Sequence, residues 1–223
     1  MRVAVCIVMV PRFEAVFVHR TTGELRATPA IMNPADENAL EMAVSIKDSQ
    51  GAEVVAVTCG GEQSEGILRK AVAMGCDHAY HLIDIRFANS DPLATAGIIG
   101  EALKKIKADI VFSGSEALNG GQTGPRVAEV LGYRHYIDAK RVDLGDTPKV
   151  TRTRDGKEET LHLGMPAVIT VVAGSNTPRM PKAVQIMKAH REGALTRWGI
   201  QDLGLDESMV GVKGSSTRVV EMF

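Results

Sequence analysis

The segment Gly114–Pro125 reads GSEALNGGQTGP, four glycines and small polar residues set between the β-branched run Asp109–Ser113 and the helical stretch GPRVAEVLG. Backbone N–H groups at a helix start form an anion site, and glycines let a phosphate or ribose lie against the main chain. Asn119, Gln122 and Thr123 are the side chains available to hydrogen-bond a sugar or phosphate. The spacing matches neither G-x-x-x-x-G-K-S/T nor G-x-G-x-x-G, so these residues alone allow a nucleotide site or a plain loop. Two further segments share the character. Asn33-Pro34-Ala35-Asp36 opens a helix, with Asn33 either a cap or a group facing a ligand crevice. TCGGE, Thr58–Glu62, puts Cys59 and Gly60 after another strand-like run.

Residues for bond chemistry are sparse. There is no G-x-S-x-G elbow and no HExxH, and no catalytic residue is assigned. His78 and His81 flank Tyr80 at a spacing that could hold a metal, but without a third ligand they read as surface or core histidines. Asp36 and Glu37 read as a solvated helix start rather than an acid–base pair. The three cysteines, Cys6, Cys59 and Cys76, form no CxxC pair and read as reduced, buried thiols of a cytoplasm-like compartment. Lys182, Lys188, His190, Arg191 and Arg197 form a basic run that is either a solvated face or, following PRMP, a protein-docking loop.

The elements that must position these groups alternate. Strand-like runs at Val3–Val10, Glu53–Thr58, His78–Ile83 and Asp109–Ser113 are separated by stretches of helical spacing. Asn33 and Asp91 are candidate N-caps, each followed by proline at the first helical position, and Gly75 ends a third helix. Runs buried on both faces and separated by helices imply a parallel sheet covered on both sides. Ligands of such sheets bind at the carboxyl ends of the strands where the winding reverses, here near Cys6–Met9, Cys59–Gly61 and Gly114–Gly124. After Tyr133 come four shorter strand-like pieces, with Asp155-Gly156 as a hairpin turn, so the sheet gains antiparallel members. Between Ser175 and Trp198 come two prolines three apart, Pro178 and Pro181, and then a basic helical stretch, and the polar tail ends in a short apolar strand. The expected fold is α/β, a Rossmann-like doubly wound, mostly parallel sheet with added antiparallel strands and a C-terminal partner-binding tail.

Bulk properties remove other classes. The 223 residues carry a formal charge of -1 and only 4% aromatics, which favours neither a nucleic-acid surface nor a base-stacking platform. The apolar start MRVAVCIVMV offers roughly nine such residues before Pro11, too few to span a bilayer. No nucleic acid and no membrane insertion are expected.

Over nearly its whole length the chain resembles the beta subunit of electron transfer flavoproteins. The segments that carry the resemblance are INPADENALEMAVSIKD, VAVTCGGEQSEGILRKAVAMGCDHAYHL, GSEALNGGQTGP, KVTRTRDGKEETLHLGMPAVITV, NTPRMPKAVQIMKA and the ending VGVKGSSTRVVEMF, in that order. The resemblance implies a cytoplasmic heterodimer with an alpha subunit that carries FAD, passing electrons from an acyl-CoA or other flavin dehydrogenase to an acceptor. It implies an adenine nucleotide in this chain, AMP in ordinary members or a second FAD in electron-bifurcating ones, where NADH is oxidised. Its binding positions fall on Cys6, Ile7 and Val8; on Asn33, Pro34, Ala35 and Asp36; on Cys59 and Gly60; and on Gly114, Asn119, Gly120, Gly121, Gln122, Thr123 and Gly124. Residues 1–190 would form the nucleotide-binding domain, with a docking loop near 175–188, and 191–223 an extension contacting the alpha subunit. The chain departs from the family at three places. The loop at Asn119–Gln122 is shorter and neutral where the family has acidic residues; Val8 replaces a lysine; and Ala183 stands where many members place a leucine that anchors the dehydrogenase, with Met180 replacing an aromatic residue. The rival reading is a stand-alone adenine-nucleotide-binding regulatory domain without electron transfer.

Overall fold

The computed structural model describes residues 1–12, 16–18, 25–27, 30–117, 120–191 and 193–217. The chain opens with β1 (Arg2–Cys6), followed by the short strands β2 (Met9–Pro11), β3 (Val16–Val18), β4 (Leu25–Ala27) and β5 (Ala30–Met32). Then α1 (Pro34–Gln50), β6 (Glu53–Cys59), α2 (Glu65–Met74), β7 (His78–Leu82), α3 (Pro92–Ile106), β8 (Ile110–Gly114) and α4 (Thr123–Leu131) alternate. Next come β9 (Arg134–Asp143), β10 (Lys149–Arg154), β11 (Lys157–His162) and β12 (Ala167–Val171). The chain finishes with α5 (Ala183–Ala189), β13 (Leu195–Trp198), α6 (Ile200–Leu203) and α7 (Gly211–Gly214).

One nine-stranded sheet has the order β11-β10-β9-β12-β8-β1-β6-β7-β13. From β9 to β13 every neighbour is parallel, and β10 and β11 add the antiparallel margin expected after Tyr133. Successive strand residues face opposite sides. Val3 and Val5 of β1 pack under α1 and α2 with Leu40 and Leu68, while Ala4, with Val111 of β8, packs under α3 and α4 with Ile98 and Val127. Burial of each Val, Leu or Ile in these two layers contributes about 1.5–3 kcal/mol, so the central strands are the most firmly held part of the fold.

Local signals place several boundaries. Asp91 caps α3 by accepting from the N–H groups of Leu93 (3.0 Å) and Ala94 (2.9 Å). Gly75 ends α2 at φ +130°, where a side chain would also run into Val44. Asp155 and Gly156 both take positive φ, the geometry that suits a two-residue turn between twisted strands.

Three expectations are corrected. The run Val3–Val10 is not one strand: it leaves the sheet after Cys6, and Met9–Pro11 pairs instead with Ala30–Met32. The break falls where the Val8 N–H turns to the Asp36 carboxylate, at 2.8 Å, rather than to a neighbouring strand. Asn33 makes no side-chain cap; its amide donates to the Glu116 carbonyl at 2.8 Å, tying the start of α1 to the glycine loop. The basic stretch before Trp198 is helical only over Ala183–Ala189, and Leu195–Trp198 joins the sheet as its edge strand beside β7. There Trp198 lies 4.4 Å from Tyr80 between ring centres, with the Lys105 ammonium 4.6 Å over its ring.

The C-terminal segment folds back on α3. Asp84 accepts from the Ile200 N–H (3.1 Å), and Arg86 pairs with Glu207. One oxygen of Asp91 caps α3, and the other accepts from Ser216 N (2.8 Å) and Oγ (2.9 Å) and from Thr217 N and Oγ1 (both 3.0 Å). The expected terminal apolar strand lies outside the described residues. Among the described residues, no helix is long and apolar enough to cross a membrane.

Thr58 of β6 and His81 of β7 are register partners, both buried, and each leaves one polar atom without a partner among the described residues: Thr58 Oγ1 and His81 Nδ1. His81 Nε2 faces the Gly60 carbonyl at 3.1 Å, which assigns the ring proton to Nε2. A buried hydroxyl without a partner costs free energy. Thr58→Val is therefore expected to stabilise the chain by about 1 kcal/mol, a rise in melting temperature of about 2–4 °C. An unchanged or lower melting temperature would mean that the hydroxyl has a partner such as a buried water.

Candidate functional site

The chain winds from β1 to β6 to β7 in one direction and returns to β8 on the far side of β1, so the direction reverses between β1 and β8. At such a reversal the flanking connections leave on opposite faces and open a crevice at the strands' carboxyl ends. Asp36 spans it. Its carboxylate accepts from the Val8 N–H just beyond β1 (2.8 Å) and from the Gly114 N–H at the end of β8 (2.7 Å). Gly114 permits this approach, because a Cβ there would stand 2.7 Å from both the Ala35 Cβ and the Asp36 carboxylate. Asp36 is thus no solvated helix-start residue: it is only 4% exposed, whereas Glu37 is half-buried and paired with Lys70 at 2.6 Å. Burial pushes the Asp36 carboxyl up to about 7, against the hydrogen bonds from Val8, Gly114 and Asn33 that favour its charged form.

Next to this bridge is a hollow of about 170 Å³ on the α3/α4 side. Cys6, Ile7 and Val8 line it from the end of β1, Asp36 from α1, Cys59 from β6 and Gly114 from β8, with Gly121, Thr123 and Gly124 from the loop and the start of α4. A second opening of about 720 Å³ is lined by Asn33, Pro34 and Ala35 together with Arg12 and Glu116, and the two share Ala117. Gly60, Gly120 and Gln122 line neither. Gly60 bonds to Leu82 and His81, Gly120 carries a positive φ turn, and Gln122 accepts from Arg126 at 3.0 Å. Asn119 lies outside the described residues.

Four lining residues escape the sequence reading: Thr95 and Ile99 from α3, Ser113 from β8 and Ala117. The signal for the first two was present. A doubly wound crossover brings the helix before β8 to the same crevice, and Thr95 and Ile99 share one face four residues apart on it. Ser113 is the polar residue in the otherwise apolar run IVFSG. Its Oγ is buried without a hydrogen-bond partner among the described residues.

The hollow is electrostatically quiet. None of its described lining residues is Lys, Arg or His. Burial pushes the thiols of Cys6 and Cys59 up to about 12, so both stay protonated and unreactive at neutral pH. At about 170 Å³ it is smaller than the ~300–1,000 Å³ of a typical ligand pocket. It suits one uncharged moiety of a larger molecule whose remainder lies in the open. His78 and His81, three apart on a strand, face opposite sides and do not converge. Among the described residues no His, Cys, Asp and Glu group of three or more is placed to hold a metal ion.

A larger hollow, about 880 Å³, lies elsewhere, between α1, α2 and residues 179–188 and 193–194. Arg179 is clamped there onto Glu41 (2.9 Å) and Asp48 (2.8 Å). Beside it Met180 is 88% exposed, and Val184 and Met187 of α5 are also exposed. Of the basic run, Arg197 is paired with Glu62 and Glu65.

Sheet order, the reversal between β1 and β8, and glycine turns closing over it define a doubly wound α/β protein with a switch-point crevice. Known proteins refine this. The family described as "Electron transfer flavoprotein domain" matches residues 24–198. The chain is 36% identical over 98% of its length to "Electron transfer flavoprotein subunit beta" of Clostridium acetobutylicum, covering 86% of that protein. It is 34% identical over its full length to "Caffeyl-CoA reductase-Etf complex subunit CarD" of Acetobacterium woodii (87% of that protein), and 34% identical over 98% to "Protein FixA" of Bradyrhizobium diazoefficiens (81%). The chain belongs to the electron transfer flavoprotein family, on the side of its beta-type subunits, and electron transfer is the role this assigns.

Proposed function

We propose that this chain is the beta-type subunit of an electron transfer flavoprotein, holding an adenine nucleotide at the β1/β8 crevice and pairing with an alpha-type subunit that carries FAD. The observation that carries the reading is the Asp36 bridge from Val8 to Gly114, which shapes a hollow at the switch point with a buried Ser113 hydroxyl that has no partner among the described residues. The residues present fit such a ligand. Cys6–Val8, Asp36, Cys59 and Ser113 would hold its uncharged part, and the N–H groups opening α4 at Gly121–Gly124 its phosphate side. Gly121 and Gly124 let the loop and the start of α4 pack closely on the end of β8, since a Cβ at Gly121 would collide with the Ser115 carbonyl and one at Gly124 with Ser113 and Thr170.

The nucleotide is AMP or the adenine end of a second FAD. The described part of the loop between Gly120 and Gly124 carries no acidic residue, which favours admission of a diphosphate. A flavin held here would supply hydride and one-electron chemistry, whereas AMP would fill the crevice and stabilise the fold. The chain's own residues bind, orient and exclude water in either case, and no catalytic side chain is invoked. The name of the Acetobacterium relative, a subunit of a caffeyl-CoA reductase complex, supports an oxidoreductase of CoA thioesters as partner. Exposed Met180, Val184 and Met187 and the loop held by Arg179 are the surface proposed for it, and residues 191–223 for the alpha subunit. A reducing cytoplasm suits the three free thiols.

Cofactor stoichiometry tests this. The complex purified after co-expression with an alpha-type subunit is expected to release one FAD and one AMP, or two FAD, per heterodimer on denaturation. A heterodimer with a single FAD and no other adenine nucleotide would remove the nucleotide from this chain.

A further inference from the structure

Ser113 is 5% exposed, lines the β1/β8 hollow, and leaves its Oγ without a hydrogen bond among the described residues. A buried hydroxyl in this state works against folding. Its neighbours in the strand, Ile110, Val111 and Phe112, are apolar, so the local packing has no use for it. Among the described residues nothing satisfies it. Across from it stands Gly124, where a Cβ would come 2.6 Å from Ser113 Oγ. The nearby Thr170 hydroxyl accepts from the Asp138 N–H at 3.1 Å and makes no bond to Ser113.

The hollow also selects what could approach. Its described lining residues include no Lys, Arg or His, and Asp36 is the acidic side chain among them. A phosphate there would meet the Asp36 carboxyl with no described cation beside it, which disfavours an anion as that group ionises. The sugar and base of a nucleotide are uncharged and carry hydroxyl and ring-nitrogen groups that a serine can meet as donor or acceptor.

We propose that Ser113 is a binding residue whose hydroxyl hydrogen-bonds the uncharged nucleoside portion of the ligand in the β1/β8 hollow. The inference rests on the nucleotide reading above and assigns a contact within it. The ligand completes a bond that the fold leaves open, so the same side chain weakens the ligand-free protein and strengthens the complex. Thr58 provides the comparison: its hydroxyl is equally orphaned, but by strand alternation it faces α1 and α2, away from the hollow.

The test uses the full chain stripped of nucleotide, with adenosine, AMP and FAD as titrants. Ser113→Ala is expected to raise the ligand-free melting temperature by about 2–4 °C while weakening adenosine and AMP by the same factor, about three- to tenfold. Thr58→Val should raise the melting temperature alone, and Ser113→Cys, with a weaker donor of similar shape, should fall between wild type and alanine. Unchanged affinity in Ser113→Ala overturns the assignment, as does weakening confined to AMP, which would place the phosphate at Ser113. A wild-type chain that takes up none of the three ligands brings down the nucleotide reading itself, an outcome distinct from either of those.

Discussion

Asp36→Ala is expected to destabilise the chain by about 2–4 kcal/mol, with the larger deficit at acid pH. The substitution removes the acceptor of the Val8 and Gly114 N–H groups where β1 and β8 end. Each buried N–H left unpaired costs about 1–3 kcal/mol, and loss of a desolvated carboxyl returns part of that. The pH dependence follows from the direction of the shift. The carboxyl has an ordinary value of 3.8 and is pushed up to about 7 in the fold, so between these values the native state holds a proton that the unfolded chain has released. The stability this group contributes is complete below about 4 and is lost as pH rises through about 7. Urea unfolding of wild type and variant at pH 5 and pH 8 should show the gap narrowing as pH rises. Equal stability at pH 5, or a gap that widens towards pH 8, would contradict the bridge.

The second large effect is expected at Asp91. Its carboxylate serves the N-terminus of α3 through Leu93 and Ala94 and the tail through Ser216 and Thr217. Losing an N-cap costs about 0.5–2 kcal/mol, and hydrogen bonds to a charged group about 1.5–3 kcal/mol when well shielded. The tail side is discounted because Ser216 and Thr217 are exposed, where water competes for the same bonds. Asp91→Ala is expected to lose about 2–4 kcal/mol in all and to expose the amides of 215–217 to hydrogen exchange. The pair Ser216→Ala and Thr217→Val, which spares the cap, should raise exchange in the tail with a smaller loss of stability. Burial alone would raise the Asp91 carboxyl, but the hydrogen bonds from Ala94, Ser216 and Thr217 outweigh it and hold the group well below the usual carboxylate range. Its contribution is therefore present above about pH 4 and lost only in stronger acid, the reverse of Asp36. A tail as protected in Asp91→Ala as in wild type would overturn this latch.

The two aspartates also show where sequence reasoning reaches and where it stops. Asp91 as cap, Pro92 behind it, the stop at Gly75 and the Asp155-Gly156 turn are local choices, each settled within a few residues. The parallel strands were equally plain, because runs buried on both faces look alike whatever their order. Asp36 is different. Its partners sit 28 and 78 positions away, so its helix-start setting suggested solvent where the fold supplies two backbone donors. The same distance effect broke the expected first strand at Val8 and turned Asn33 from a cap into a tie to Glu116, 83 positions on. Leu195–Trp198 carries too little pattern, four residues beside a basic helical stretch, to be told from it by sequence; pairing with β7 decides its conformation. Within the crevice, the glycine turns stood out by composition, while Ser113 and Thr95 became visible only when opposite layers closed on them.

Trp198 is the only tryptophan in the chain, and it sits on the outermost strand beside β7. Intrinsic fluorescence excited at the indole band therefore watches one margin of the sheet rather than its centre. If emission shifts before far-ultraviolet circular dichroism changes on heating, the margin at β13 peels away ahead of the crevice; coincident transitions would mean that margin and crevice melt as one cooperative unit.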